Sequence, residues 1–169
     1  DGILVATDII STPYPGRSVL PDRCTVTFDR RLLIGESPSS ILAPIKGILR
    51  EHPAIEAALC CTEGEIASYT GQTIKAERFF DAWLMADDHP VVQQSLDALN
   101  EIGIPARLSH YRFCTNGSRY AGVLAIPTIG FGPGAEEMAH TVDEHIAIDD
   151  LVTAHAGYLA LIKRLLSKR

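Results

Sequence analysis

Apolar and polar positions change period several times along the chain, and each change predicts an element. Ile3, Val5 and Ile9 share one parity over residues 2–10, which predicts a strand, and Ser11-Thr12-Pro13-Tyr14-Pro15-Gly16 then supplies turn chemistry. Residues 24–32 alternate more cleanly, with Cys24, Val26 and Phe28 on one face and Thr25, Thr27, Asp29 and Arg31 on the other. They predict a second strand, antiparallel to the first. Ser37-Pro38 is an N-cap followed by a first-position proline, and Ile41, Leu42, Ile45, Ile48 and Leu49 recur at helical spacing until His52-Pro53 stops the helix. A third strand is expected at about 55–61.

Strand, strand, helix, strand describes a small α/β sandwich that lacks an opening strand and helix. Between Glu63 and Phe80 periodicity gives way to Gly, Ser, Thr and Tyr, so a domain boundary is expected near Gln72. This assigns residues 1–72 to one domain and 73–169 to another. In the second, Asp88-His89-Pro90 precedes an amphipathic helix marked by Val91, Val92, Leu96 and Leu99 and ending at Gly103. Residues 106–114 and 122–131 predict two strands, and their alternation with helices predicts part of a doubly wound sheet. Leu151, Ala154, Tyr158, Leu161, Ile162 and Leu165 form the stripe of a C-terminal packing helix, with Lys163, Arg164, Lys168 and Arg169 at its basic end.

Composition narrows the class. The 169 residues are 46% hydrophobic and 21% charged, a globular balance. The 15 Lys+Arg against 21 Asp+Glu give a net charge of -6, and no window concentrates basic residues, which argues against nucleic acid or an anionic membrane as partner. No apolar run reaches the roughly 20 residues that cross a bilayer, and no basic leader opens the chain. Cys24, Cys60, Cys61 and Cys114 show no CxxC or zinc-ribbon spacing and read as reduced thiols of a cytoplasmic protein. The chain starts at Asp1 and enters a strand pattern at once, as a piece of a longer protein would.

Chemistry concentrates in three places. Gly130-Phe131-Gly132-Pro133-Gly134 follows an apolar run and leads through Glu136 to His140, Asp143 and Glu144. Glycines there let the backbone approach a ligand, and His140 offers an imidazole to a metal, with Asp143 or Glu144 as a partner for its other nitrogen. The same residues also describe a Gly/Pro turn with a solvent-facing histidine. Asn116-Gly117-Ser118 combines a side-chain amide, a hydroxyl and backbone amides able to hold a carboxylate or an oxyanion, or else makes an Asn-Gly turn with a helix cap. Neighbouring Cys114 reads as a nucleophile or as a buried thiol, and no Gly-x-Ser-x-Gly elbow surrounds it. Arg31, on a strand with Asp29, suits a bidentate contact to a substrate carboxylate or a surface ion pair. The six histidines include no HExxH or His-x-His, so the chain shows no complete metal site.

Leu124-Ala125-Ile126-Pro127-Thr128-Ile129, the Gly130 to Gly134 turn, Ala139-His140 and Asp143-Glu144 together resemble the C-terminal signature of the dizinc aminoacylase, deacetylase and carboxypeptidase family. That family includes acetylornithine deacetylase and succinyl-diaminopimelate desuccinylase. Ser18-Val19-Leu20-Pro21 and Asp29-Arg30-Arg31 resemble its lid-domain elements, with Ser18 where Asn is frequent, and Asn116-Gly117-Ser118 resembles its substrate turn. Asp29-Arg30-Arg31-Leu32, Ser68-Tyr69-Thr70-Gly71 and Thr115-Asn116-Gly117 look most like the hydrolases linked to selenium metabolism.

The resemblance implies the remnant of a ferredoxin-like lid and dimerisation domain, followed by the C-terminal part of a doubly wound zinc-peptidase catalytic domain. It implies that His140 is a ligand of one of two zinc ions and that Arg31, Asn116, Gly117 and Ser118 bind substrate. The general base and the other ligands would lie upstream, in an N-terminal part of the same protein. The implied reaction is hydrolysis of an N-acyl amino acid or dipeptide-like amide by metal-activated water, in a homodimer joined through the lid. The chain alone is expected to be inactive and to expose an apolar patch over residues 73–169. The alternatives are a non-catalytic dimerisation or binding module of the same fold and a hydrolase using Cys114.

Overall fold

The computed structural model describes residues 2–167, and the chain divides into two compact units between Ala82 and Trp83. In the first unit, β1 (Ile3–Thr12) and β2 (Arg23–Arg31) pair antiparallel, from Ile3 opposite Arg31 to Thr12 opposite Arg23. A bulge lies between Ala6 and Asp8. One extra residue in a strand reverses which side chains share a face. Ile9 therefore stands opposite Val26, on the face of Leu4, Ala6 and Phe28, and leaves the parity of Ile3 and Val5 that a regular strand predicts.

Helix α1 (Pro38–Glu51) begins as the sequence predicts. Ser37 accepts from the Ser40 backbone N–H at 3.3 Å, and the Ser40 hydroxyl accepts from the Ser37 N–H at 2.8 Å. This reciprocal box satisfies two amides that a helix start leaves unpaired. Ahead of it, Glu36 accepts from the Leu33 N–H at 2.8 Å and pairs with Arg30. That guanidinium, then the Leu33 N–H, hold the Glu36 carboxyl below the usual range.

The expected third strand at 55–61 is irregular chain. The strands are β3 (Glu63–Ala67) and β4 (Thr73–Glu77), a hairpin inside the stretch that reads as aperiodic. Both are short and mostly exposed on both faces, so no hydrophobic alternation marks them. Lys75 and Glu65 form a cross-strand pair at 3.1 Å. Gln72, the expected domain boundary, closes the hairpin turn: its carbonyl accepts from the Ser68 N–H at 2.8 Å, beside Gly71 at φ +81°. Among its described residues the unit thus holds two separate two-stranded sheets.

In the second unit, α2 (Pro90–Glu101) is capped by His89, whose Nδ1 accepts from the Val91 N–H at 3.2 Å, and is closed by Gly103 at φ +79°. α3 (Ile148–Leu166) packs against it. Val92, Ala98 and Leu99 from α2, with Ala154 and Leu161 from α3, are the buried apolar side chains of the described residues. The basic end of α3 includes Lys163 and Arg164, whereas Lys168 and Arg169 lie outside the described residues.

Neither strand expected at 106–114 and 122–131 is present. The first segment is irregular, Ser118–Val123 is a π-helical turn, and irregular chain follows through Ala125 at φ +52°. A doubly wound sheet buries parallel strands on both faces between neighbours, and this unit has no other strand among its described residues to pair with these segments. The chain is accordingly a mixed α/β protein of helices and small antiparallel sheets. Among the described residues after 73, the large apolar side chains left exposed include Leu124, Ile126, Val152 and Ile162. No helix among the described residues is long and apolar enough to cross a membrane.

Candidate functional site

Arg31 belongs to the first unit, where it ends β2 opposite Ile3 and is exposed. Asp29 stands opposite Val5 on the same face. The remaining candidates belong to the second unit.

The Asn116 turn is more tightly closed than its sequence suggests. Thr115 Oγ1 accepts from the Gly117 N–H at 3.1 Å and the Thr115 carbonyl from the Ser118 N–H at 3.1 Å. The Asn116 carbonyl takes the N–H groups of Arg119 and Tyr120 at 3.0 and 3.2 Å. The Gly117 and Ser118 amides, two of those expected to face an anion, are thus spent within the turn, together with those of Arg119 and Tyr120. What the turn offers outward is the exposed side chain of Asn116, while Gly117 and Ser118 are buried. A Cβ on Gly117 would fall 2.4 Å from Cζ2 of Trp83, so the backbone lies directly against the indole.

Cys114 is exposed, which overturns the buried-thiol reading. Its Sγ lies 3.8 Å from the Ser118 hydroxyl and 3.7 Å from the Thr115 carbonyl, and neither group is a base for a thiol. Cys61, in the first unit, is pushed up by burial and then by the Glu77 carboxylate, away from the thiolate a nucleophile requires.

His140 lies between a 3-10 turn (Glu136–Met138) and α3. Its backbone is left-handed, φ +64°, and exposed. Glu144 Oε2 accepts from the His140 backbone N–H at 3.1 Å, so the carboxylate expected to orient the imidazole is bound to the main chain. Asp143 contributes its carbonyl, 2.6 Å from His145 Nδ1.

Four side chains outside the candidate set fix these segments. Tyr111 stacks on Phe113 with centroids 4.9 Å apart and lies over Gly130, where a Cβ would come within 2.2 Å of the ring. Glu136 Oε1 accepts from the Arg112 N–H at 2.9 Å, tying this stack to the turn that precedes His140. Burial, then Tyr158 and Glu136, push the Tyr111 hydroxyl up and keep it protonated. The Tyr158 hydroxyl donates to the Phe131 carbonyl at 2.6 Å, and its ring meets Phe131 edge-on at 5.2 Å. Trp83 is the fourth. The available signal was an aromatic residue in the same unit as Gly117, Gly130 and Gly157, but which ring meets which glycine depends on tertiary packing.

A catalytic zinc ion needs three protein ligands. Among the described residues no three His, Cys, Asp or Glu side chains come together. His140 could offer one such ligand: the residue is exposed, and its hydrogen bond to Glu144 uses the backbone N–H and leaves the imidazole out.

Against known proteins, residues 18–164 match the model of peptidase family M20/M25/M40. The chain is 33% identical over 164 residues to the uncharacterized protein YgeY of Escherichia coli strain K12, and equally to that of Escherichia coli O157:H7. Each alignment covers 95% of this chain and 40% of the relative, so the chain spans 40% of the length of the curated relatives it matches. No solved structure matches it.

Proposed function

Because this chain belongs to peptidase family M20/M25/M40, we propose that it is the C-terminal part of a zinc-dependent hydrolase that cleaves an N-acyl amino acid or a dipeptide-like amide. The family match over residues 18–164, which runs through both compact units, is the observation that carries this reading. His140 is assigned as one ligand of a two-zinc centre completed by residues outside this chain. Zinc bound there supplies a water of lowered pKa and polarises the scissile carbonyl. Arg31 is assigned to the substrate carboxylate, to which a guanidinium offers a planar pair of donors. Asn116 is assigned to the acyl-amide region through its side chain, since the amides of its turn are already used.

The first compact unit, up to Ala82, is proposed to belong to a lid that pairs two copies of the protein, and the second, from Trp83, to the catalytic domain, since the boundary expected at Gln72 would divide the β3–β4 hairpin. Within the family, Asp29-Arg30-Arg31-Leu32 and Thr115-Asn116-Gly117 favour the branch linked to selenium metabolism.

The test is zinc content and turnover of the full-length protein, set beside those of the 169-residue chain. About two zinc ions per full-length chain and chelator-sensitive hydrolysis of N-acyl amino acids are expected, with no turnover by the 169-residue chain. Zinc-dependent turnover by the short chain would refute the division of the site. Absence of both zinc and turnover in the full-length protein would favour a non-catalytic dimerisation or binding module. Turnover that survives chelators and is abolished by a thiol reagent would point to Cys114.

A further inference from the structure

A histidine that ligates zinc ordinarily gives its second ring nitrogen to a carboxylate, which fixes the direction of the ring. Neither nearby carboxylate does this at His140. Glu144 Oε2 receives the His140 main-chain N–H at 3.1 Å, and the contact from the Asp143 position is its carbonyl at 2.6 Å from His145 Nδ1. His140 also has φ +64°, a region where a side chain crowds its own backbone and which residues other than glycine seldom adopt. Such a conformation persists only where its surroundings hold it.

We propose that Glu144 is a positioning residue that aims the His140 imidazole by holding the His140 backbone in its left-handed conformation. This rests on His140 being a zinc ligand, as assigned above. A residue's φ and ψ set the direction of its Cα–Cβ bond, so relaxation of His140 to φ below zero swings the ring away. Glu144 is itself anchored: its N–H donates to the Thr141 carbonyl at 3.3 Å, and the Thr141 hydroxyl donates to the Met138 carbonyl at 2.8 Å. The clamp therefore closes a run of turns from Met138 to Glu144, just ahead of α3. It uses an acceptor oxygen and does not require a charge at that oxygen. Asp143 has no part in it.

The experiment uses the full-length protein, its Glu144→Ala, Glu144→Gln, Asp143→Asn and His140→Ala variants, and two readouts. These are hydrogen exchange of the residue-140 amide in the zinc-free protein and zinc affinity by chelator competition. Glu144→Ala is expected to speed exchange about tenfold and to weaken zinc about 10- to 100-fold. Glu144→Gln retains an acceptor oxygen and is expected to stay near wild type in both readouts, as is Asp143→Asn. Loss in Glu144→Gln equal to that in Glu144→Ala, or no change in Glu144→Ala, overturns the proposal. If Glu144→Ala does not fold, Glu144→Gln decides alone: wild-type behaviour supports the clamp, and loss of zinc with unprotected exchange overturns it. His140→Ala separates the two claims. Zinc affinity unchanged by His140→Ala defeats the ligand assignment, whereas zinc lost in His140→Ala with Glu144→Ala unaffected defeats the clamp alone.

Discussion

Gly117 lies so close to Trp83 that a Cβ on it would fall 2.4 Å from Cζ2 of the indole and 2.8 Å from its Nε1. Gly117→Ala must therefore displace a rigid bicyclic ring, and overpacking of this kind costs about 1–3 kcal/mol. Trp83 is the chain's single tryptophan, so its fluorescence reports the displaced group directly. Denaturant unfolding should show a lower midpoint and an altered native emission. An unchanged midpoint and spectrum would mean that the indole does not rest on this turn.

That contact shows what one sequence can and cannot carry. The helices were legible because their signals are local: Ser37-Pro38, His89-Pro90 and Gly103 each mark an end without reference to any other segment. The β1–β2 pair was legible because alternation survives in β2, but the bulge at Thr7 that turns Ile9 to the opposite face leaves no local mark. The β3–β4 hairpin was hidden because its faces are mostly exposed, and 106–114 and 122–131 read as strands because β-branched and aromatic residues favour strands wherever partners exist. In the candidate site, His140 stood out by motif. The use of Glu144 on its backbone did not, since that depends on where the loop folds back.

The second unit is held partly by Phe131 between Gly157 and Tyr158. A Cβ on Gly157 would meet Phe131 Cζ at 2.5 Å, and the Tyr158 hydroxyl donates to the Phe131 carbonyl at 2.6 Å. Gly157→Ala should cost about 1–3 kcal/mol by wedging the ring off α3. Tyr158→Phe removes one hydrogen bond but keeps the edge-on packing, and should cost about 0.5–1.5 kcal/mol. Unfolding of the two variants side by side checks the order. A Tyr158→Phe loss larger than that of Gly157→Ala would show that the hydrogen bond outweighs the packing.

Glu101 of α2 pairs with Arg164 of α3. Hydrogen bonding to that guanidinium, then its charge, hold the Glu101 carboxyl below the usual carboxylate range in the folded state. A depressed folded pKa stabilises the protein above the unfolded value, and this contribution disappears as pH falls through the folded one. The pair is solvent-exposed, so the effect should be small and weakened by salt. Wild type should exceed Glu101→Gln in thermal midpoint at pH 7, and the difference should close as the pH falls through and below the carboxylate range. A difference that persists in acid would assign the stabilisation to packing by the side chain.

Ile148, Val152, Leu159, Ile162 and Leu166 recur at helical spacing along α3, on a face turned away from the buried Ala154, Gly157 and Leu161. Val152 is 63% exposed and Ile162 53%. Two apolar faces on one helix require two partners, and α2 supplies one. The 169-residue chain should therefore bind an apolar dye and self-associate, and Val152→Lys with Ile162→Lys should suppress both without unfolding it. In the full-length protein proposed above, upstream segments would cover this face. The same substitutions should then destabilise by about 1.5–3 kcal/mol each, since each removes a buried aliphatic side chain. Equal tolerance of the double substitution in the short and full-length forms would leave the second face of α3 open to water in both, and would count against a catalytic domain completed from upstream.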